Sequence, residues 1–214
     1  MLDFNLNVWY CQTRMLSRII SGRGAGLNLC LVSNKENLRP TTGRVKEAFF
    51  DIIQFFIHGS VFLDAFAGTG QIGIEAASRG AEHVVFIEKS KTSIKIIENN
   101  IEKYKKSNLL NVNVLKHGTS KNDHKPVKFE VMHSNVFDLL LELKRKPNII
   151  FADPPFDSCL ALKFLDRFSE IICKNGVLVL ETSSKNKLPN ELNGLFLKKV
   201  YRYGNVSLNL YLKI

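Results

Sequence analysis

Two short segments of the 214-residue chain combine residue types that do chemistry with the spacing that chemistry requires. The first is Val61-Phe62-Leu63-Asp64-Ala65-Phe66-Ala67-Gly68-Thr69-Gly70-Gln71-Ile72-Gly73, an apolar run leading into GxGxxG. Glu88 closes the next apolar run, 20 residues beyond Gly68. Glycines at these positions permit a tight turn and let a cofactor approach the backbone, and an acid at that distance can accept two ribose hydroxyls. On spacing alone a nicotinamide dinucleotide fits. Asp64 argues for something else. A carboxylate at the end of the strand repels a pyrophosphate seated on a helix N-terminus. It suits a cofactor carrying an ammonium and a sulfonium, as S-adenosylmethionine does.

The second segment is Asn148-Ile149-Ile150-Phe151-Ala152-Asp153-Pro154-Pro155-Phe156. Two prolines directly after an apolar run stop a strand and fix the backbone. Asp153 then stands at the carboxyl end of a sheet, where open α/β sheets bind ligands. Methylation of an exocyclic amine on a nucleobase explains these residue types. The amine lone pair is delocalised into the ring, so it must be aimed rather than merely deprotonated. The Asp153 carboxylate and the Pro154 carbonyl offer acceptors for the two N–H bonds, and Phe156 offers a face for stacking the base. Proximity and alignment carry most of such a reaction.

The elements that must position these residues follow from periodicity. A helix beginning at Thr41 or Thr42 shows an apolar stripe at Val45, Ala48, Phe49, Ile52, Ile53 and Phe56. From residue 61 the chain alternates. Strands are expected at Val61–Ala65, Val84–Ile87, near Asn111–Leu115, and at Phe129–His133, Asn148–Ala152 and Gly176–Leu180. Helices are expected over Ile72–Ser78, through Ile94, Ile97, Ile101 and Tyr104, around Phe137–Lys144 and over Leu160–Cys173. Phe196–Ile214 reads as two strands about Gly204-Asn205, a hairpin signal. This alternation predicts an α/β fold: a mainly parallel sheet with helices on both faces, closed by an antiparallel hairpin. Ahead of it, residues 18–56 form a small subregion of short strands, a Gly-rich turn and the first helix. Residues 1–17 are a loose extension, with Met15 an alternative start, and residues 57–214 are the main domain.

Composition agrees with one sizeable domain and excludes several classes. Hydrophobic residues are 45% and charged residues 23% of the chain, so wholesale disorder is excluded. No run approaches a membrane span, so no membrane partner is expected; four scattered cysteines, unlike a secreted disulfide scaffold, point to the cytoplasm. Cys11, Cys30, Cys159 and Cys173 are far apart and without CxxC spacing, so they read as reduced and not as zinc ligands. His117, His124 and His133 have no metal-site spacing either. The net charge is +10, and the surplus avoids residues 61–100, which carry a net −1. A basic surface around an acidic centre suits a polyanion, chiefly nucleic acid, held next to a cationic cofactor.

Taken together, the stretch from Arg18 to about Leu212 resembles the RsmD family of bacterial small-subunit ribosomal RNA guanine-N2 methyltransferases. The matching pieces are Arg18-Ile19-Ile20-Ser21-Gly22, the run Leu38-Arg39-Pro40-Thr41-Thr42-Gly43-Arg44-Val45-Lys46-Glu47, and Leu63 to Gly70. They continue with Gly73-Ile74-Glu75-Ala76, Phe86-Ile87-Glu88, Asp153 to Phe156, Glu181 and Gly204. The resemblance implies a class I (Rossmann-like) methyltransferase fold with a seven-stranded sheet, S-adenosyl-L-methionine as cofactor, and 16S rRNA of the small subunit as partner to a monomer. It implies that Asp64, Phe66, Gly68 and Gly70 hold the methionine part, Glu88 the ribose and Asn135 the adenine. Asp153, Pro154, Pro155 and Phe156 would hold the target guanine, with Arg39, Thr41, Arg44 and Arg23 on the substrate side. Ala25 and Leu27 stand around Gly26 where the family usually has arginines, and Lys116–Lys128 looks inserted. Other functions consistent with the residues are an adenine-N6 DNA methyltransferase, an NAD-dependent oxidoreductase and a non-catalytic RNA-binding module.

Overall fold

The computed structural model describes residues 16–31, 43–114, 126–138, 143–155 and 158–214. Its centre is a sheet built from β3 (Val61–Ala65), β4 (His83–Glu88), β5 (Lys128–His133), β6 (Ile149–Ala152), β7 (Val177–Ser183), β8 (Glu191–Leu192), β9 (Leu195–Tyr203) and β10 (Val206–Lys213). The strand order is β5-β4-β3-β6-β7-β10-β9-β8. The first five run parallel, and β10 inserts antiparallel between β7 and β9. Seven strands were expected, and the eighth is the two-residue β8 on the edge. A separate antiparallel pair, β1 (Leu16–Arg18) and β2 (Asn28–Cys30), precedes the sheet.

Period-two alternation gives the sheet two apolar faces. Phe62, Phe86, Phe151, Val179 and Leu208 line one face under α1 (Gly43–Ile53), α2 (Gln71–Ser78), α3 (Lys91–Val114) and the β1–β2 pair. Leu63, Val85, Ile150 and Leu178 line the other under α4 (Ser158–Phe168), whose Phe164 and Phe168 stack at 4.0 Å. The parallel strands are buried on both sides, so they read as continuous apolar runs.

Three expected elements differ. The strand near Asn111–Leu115 is instead the end of α3, which continues to Val114. No Gly or Pro interrupts it, and a growing helix gains one bond per residue, so the alternation of Val112 and Val114 has no effect. The helix around Phe137–Lys144 is not seen in its described parts, which are a turn at 136–138 and a bend at 144–145. Asn135 makes that turn: its Oδ1 accepts from Phe137 N at 3.0 Å. Phe56 falls beyond the end of α1 and is 47% exposed, because the helix turns out at residue 54. The Thr41 and Thr42 cap and the Lys116–Lys125 part of the insertion lie outside the described residues. Cys159 and Cys173 are in no disulfide, but Cys30 is disulfide-bonded to a partner outside the described residues, so the reading of four reduced cysteines is corrected there.

Candidate functional site

The strand order reverses between β3 and β6: the chain builds outward from β3 through β4 to β5, then returns to β3's other side. At such a point the loops leaving two neighbouring strands diverge and open a crevice at their carboxyl ends. The glycine loop leaves β3 there and Asp153-Pro154-Pro155 leaves β6.

The glycine loop is held by backbone bonds to acids. Phe66 turns the chain with φ 83°, a region that L side chains rarely adopt, and its N–H and that of Ala67 donate to Ile87 O at 3.2 and 3.0 Å. Gly68 N donates to Glu88 Oε2 at 2.8 Å, and Ser90 N donates to Glu88 Oε1 at 2.8 Å. Asn100 on α3 clamps the loop from outside, donating to Thr69 O at 3.0 Å and Cys30 O at 2.9 Å while accepting from Cys30 N. Gly73 packs so close that a Cβ there would overlap the Phe86 ring. Gly68 is the opposite case: with φ +55°, a Cβ built on it would have no neighbour within 4 Å. One glycine serves helix–sheet contact, and the other faces open space that a cofactor can occupy.

Asp64 is 2% exposed and its Oδ2 accepts from Gly73 N at 2.9 Å. Burial pushes its carboxyl up to about 7, the Gly73 bond opposes this, and Glu88 and Asp153 add to it. Burial raises Asp153 to about 7 as well. Glu181 is pushed up to about 8 by burial and by Asp153. Asp64, Asp153 and Glu181 are thus three raised carboxyls at the crevice, with no cation paired to them among the described residues. Carboxyls with raised pKa values in a cleft mark a functional site. This one would gain from a cationic ligand, which favours their charged forms. The donor set therefore fits a cofactor with an ammonium and a sulfonium. The remaining lone pairs of Glu88 fit a pair of hydroxyls.

The structure brings together Asp64, Phe66, Gly68, Gly70, Glu88 and Asp153, with Pro154 buried and Pro155 exposed behind it. Asn135 is exposed just past β5. Arg44 is exposed in the first turn of α1 and lines a groove of about 400 Å³ with Glu47, Ala48, Asp51, Ile52, Tyr201 and Tyr203. That groove lies between α1 and β9, away from the glycine loop. Arg23 sits elsewhere again: its N–H donates to Ser78 O at 2.8 Å. This is the far end of α2 from Gln71, about 10 Å along the helix axis. Arg39, Thr41 and Phe156 lie outside the described residues.

Sequence reasoning gave no role to Lys46, Glu75 or Asn100. Lys46 and Glu75 are 2% and 0% exposed and paired at 3.3 Å. Glu75 also accepts from Ile20 N and Ser21 N, at 2.8 and 3.0 Å, and Lys46 donates to Arg18 O at 2.7 Å. The pair fastens the N-terminal strands to α2 and α1. A polar residue on an apolar helix stripe, as Asn100 is between Ile97 and Ile101, was the available signal.

A family model described as Conserved hypothetical protein 95 matches residues 17–212. The Haemophilus influenzae ribosomal RNA small subunit methyltransferase D is 33% identical over 91% of this chain and 92% of its own. The solved structure of the Escherichia coli protein yhhF is 26% identical with a TM-score of 0.69, covering 93% of this chain and 98% of that one. A Thermus thermophilus 16S rRNA N2 methyltransferase, RsmC, solved with AdoMet and guanosine, shares the fold with a TM-score of 0.66 at 19% identity, covering 94% of this chain and 50% of that one.

Proposed function

The chain belongs to the RsmD family of small-subunit ribosomal RNA methyltransferases, and on that premise we propose that it methylates the exocyclic N2 of a guanine in 16S rRNA, with S-adenosylmethionine as donor. The observation that carries this reading is the convergence of the glycine loop and Asp153 at the reversal point between β3 and β6. The partner in this reading is the small ribosomal subunit or its RNA, met by a monomer in the cytoplasm. In this reading residues 18–56 are an N-terminal β-hairpin and helix subregion ahead of a methyltransferase domain at 57–214.

The bound cofactor supplies an electrophilic methyl group on a sulfonium. Asp64 and the loop through Phe66, Gly68 and Gly70 hold its methionine end, where the buried carboxyl meets an ammonium. Glu88 keeps Gly68 in place and offers its free lone pairs to the ribose, and Asn135 stands at the adenine side. Asp153 accepts one N–H of the guanine amine and the Pro154 carbonyl the other, which turns the lone pair toward the methyl. The N–C bond would form as the methyl's bond to sulfur breaks and its electron pair stays on the sulfur as a thioether; the nitrogen is left cationic, and Asp153 accepts the proton it sheds. Pro155 limits the motion of this acceptor pair, and Phe156 stacks on the base. Arg39, Thr41, Arg44 and Arg23 serve the RNA side. The target base must be unpaired or flipped out to reach this crevice.

Asp153→Asn tests the assignment. It keeps the shape and an acceptor oxygen but cannot take the proton. We expect turnover to fall at least about 100-fold while cofactor affinity, measured by calorimetry, stays within a few-fold. Near-normal turnover in the variant removes Asp153 from the chemistry.

A further inference from the structure

Glu181 has no role in the reaction so far. Yet the register Ile149↔Val177 through Ala152↔Leu180 sets Asp153 level with it on the adjacent parallel strand. Residues level on neighbouring strands point to the same face, with strand axes about 4.8 Å apart. Glu181 is 5% exposed, and its Oε2 has no hydrogen-bond partner among the described residues. On its other side the register places Leu208, which offers it no polar group. A buried carboxyl oxygen left unpaired is costly, and the residue that carries it lies within electrostatic reach of the acid that our reading assigns to the amine. This combination calls for a ligand that brings a second donor beside the first.

We propose that Glu181 selects guanine, by accepting the ring N1–H next to the amine that Asp153 and Pro154 hold. The inference rests on the reading above. Its basis is base chemistry. Guanine alone among the four bases carries a ring N–H beside its exocyclic amine. Adenine and cytosine present a ring nitrogen acceptor there, and uracil has no amine. Two acids side by side match two donors side by side. Against adenine or cytosine the second acid meets a lone pair, and a site built to hydrogen-bond a donor rejects the analogue that lacks it. Burial raises both acids, and Asp153 adds to the shift of Glu181, so two arriving N–H donors favour their charged forms.

The test uses 2-aminopurine, which keeps the amine of guanine but lacks N1–H. Small subunits are reconstituted with 16S rRNA bearing guanine or 2-aminopurine at the methylated position once it is mapped. The wild-type protein should favour guanine by at least tenfold in kcat/KM. Glu181→Gln, close to isosteric, should lose on guanine and bring that ratio to within about threefold of unity, with S-adenosylmethionine affinity unchanged. A merely structural role would depress both substrates alike and leave the ratio intact, and that result overturns the proposal. So does a wild-type protein that methylates both equally, an outcome that needs no variant to fold. Failure of the wild-type protein to methylate guanine at all would instead strike the underlying reading of the function.

Discussion

At the residue scale the crevice is defined by acids that the fold holds near neutrality. Asp153 is raised to about 7 from 3.8. A group whose proton is held more firmly in the folded chain than in the unfolded one contributes stability at low pH. That contribution is lost as pH rises from about 4 through about 7. Asp153→Asn removes this dependence. The variant should therefore gain stability relative to wild type across that window, read as the difference between the two melting curves without cofactor. A constant difference from pH 4 to pH 8 would contradict the burial argument. The difference between proteins is the right quantity, because His83, with its pKa lowered by burial, contributes in the opposite sense and cancels. Asp64, Glu88 and Asp153 were legible in the sequence, because each stands at a fixed offset from a glycine or proline signal, whereas Glu181 entered only through the family resemblance. The raised pKa values of Asp64, Asp153 and Glu181 were not legible, because burial and repulsion depend on which strands lie side by side.

At the element scale the buried Lys46–Glu75 pair joins the N-terminal strands to α1 and α2, alongside the bonds to Cys30 from Asn100 on α3. Burial pushes the Lys46 ammonium down, and Glu75 opposes that shift. Lys46→Met leaves Glu75 with Ile20 N, Ser21 N and the Arg79 guanidinium at 2.9 Å, so the loss of the Lys46 bonds should cost about 1–3 kcal/mol, measured by urea unfolding. A loss below about 1 kcal/mol would mean that Glu75 is satisfied by Ile20, Ser21 and Arg79 alone. Gly73→Ala tests the other close contact. Overpacking against Phe86 should cost about 1–3 kcal/mol, whereas an exposed helical glycine would gain from the same change. Most elements were legible, since their apolar runs have strand length and their stripes helical spacing. The end of α3 was not. Val112 and Val114 alternate as a strand does, but nothing before them stops the helix. Glu75 and Lys46 lay inside segments that resemble the family, yet a buried pair spanning two helices has no local signature.

At the scale of the whole molecule, charge is arranged for two unlike ligands. The net charge of +10 favours a polyanion, while the crevice is lined by Asp64, Glu88, Asp153 and Glu181. Among the described residues no helix is long and apolar enough to cross a membrane. Binding to RNA should weaken steeply with salt as counterions are released, by at least about tenfold between 50 and 200 mM, whereas cofactor binding should change little. Equal salt sensitivity of both would contradict this division. The central claim is the reaction itself, and label transfer tests it most directly. Unmodified small ribosomal subunits are incubated with the protein and methyl-tritiated S-adenosylmethionine, and the RNA is digested to nucleosides. The account predicts label in N2-methylguanosine. Label in any other nucleoside, or none from a sample that demonstrably binds the cofactor, would contradict it.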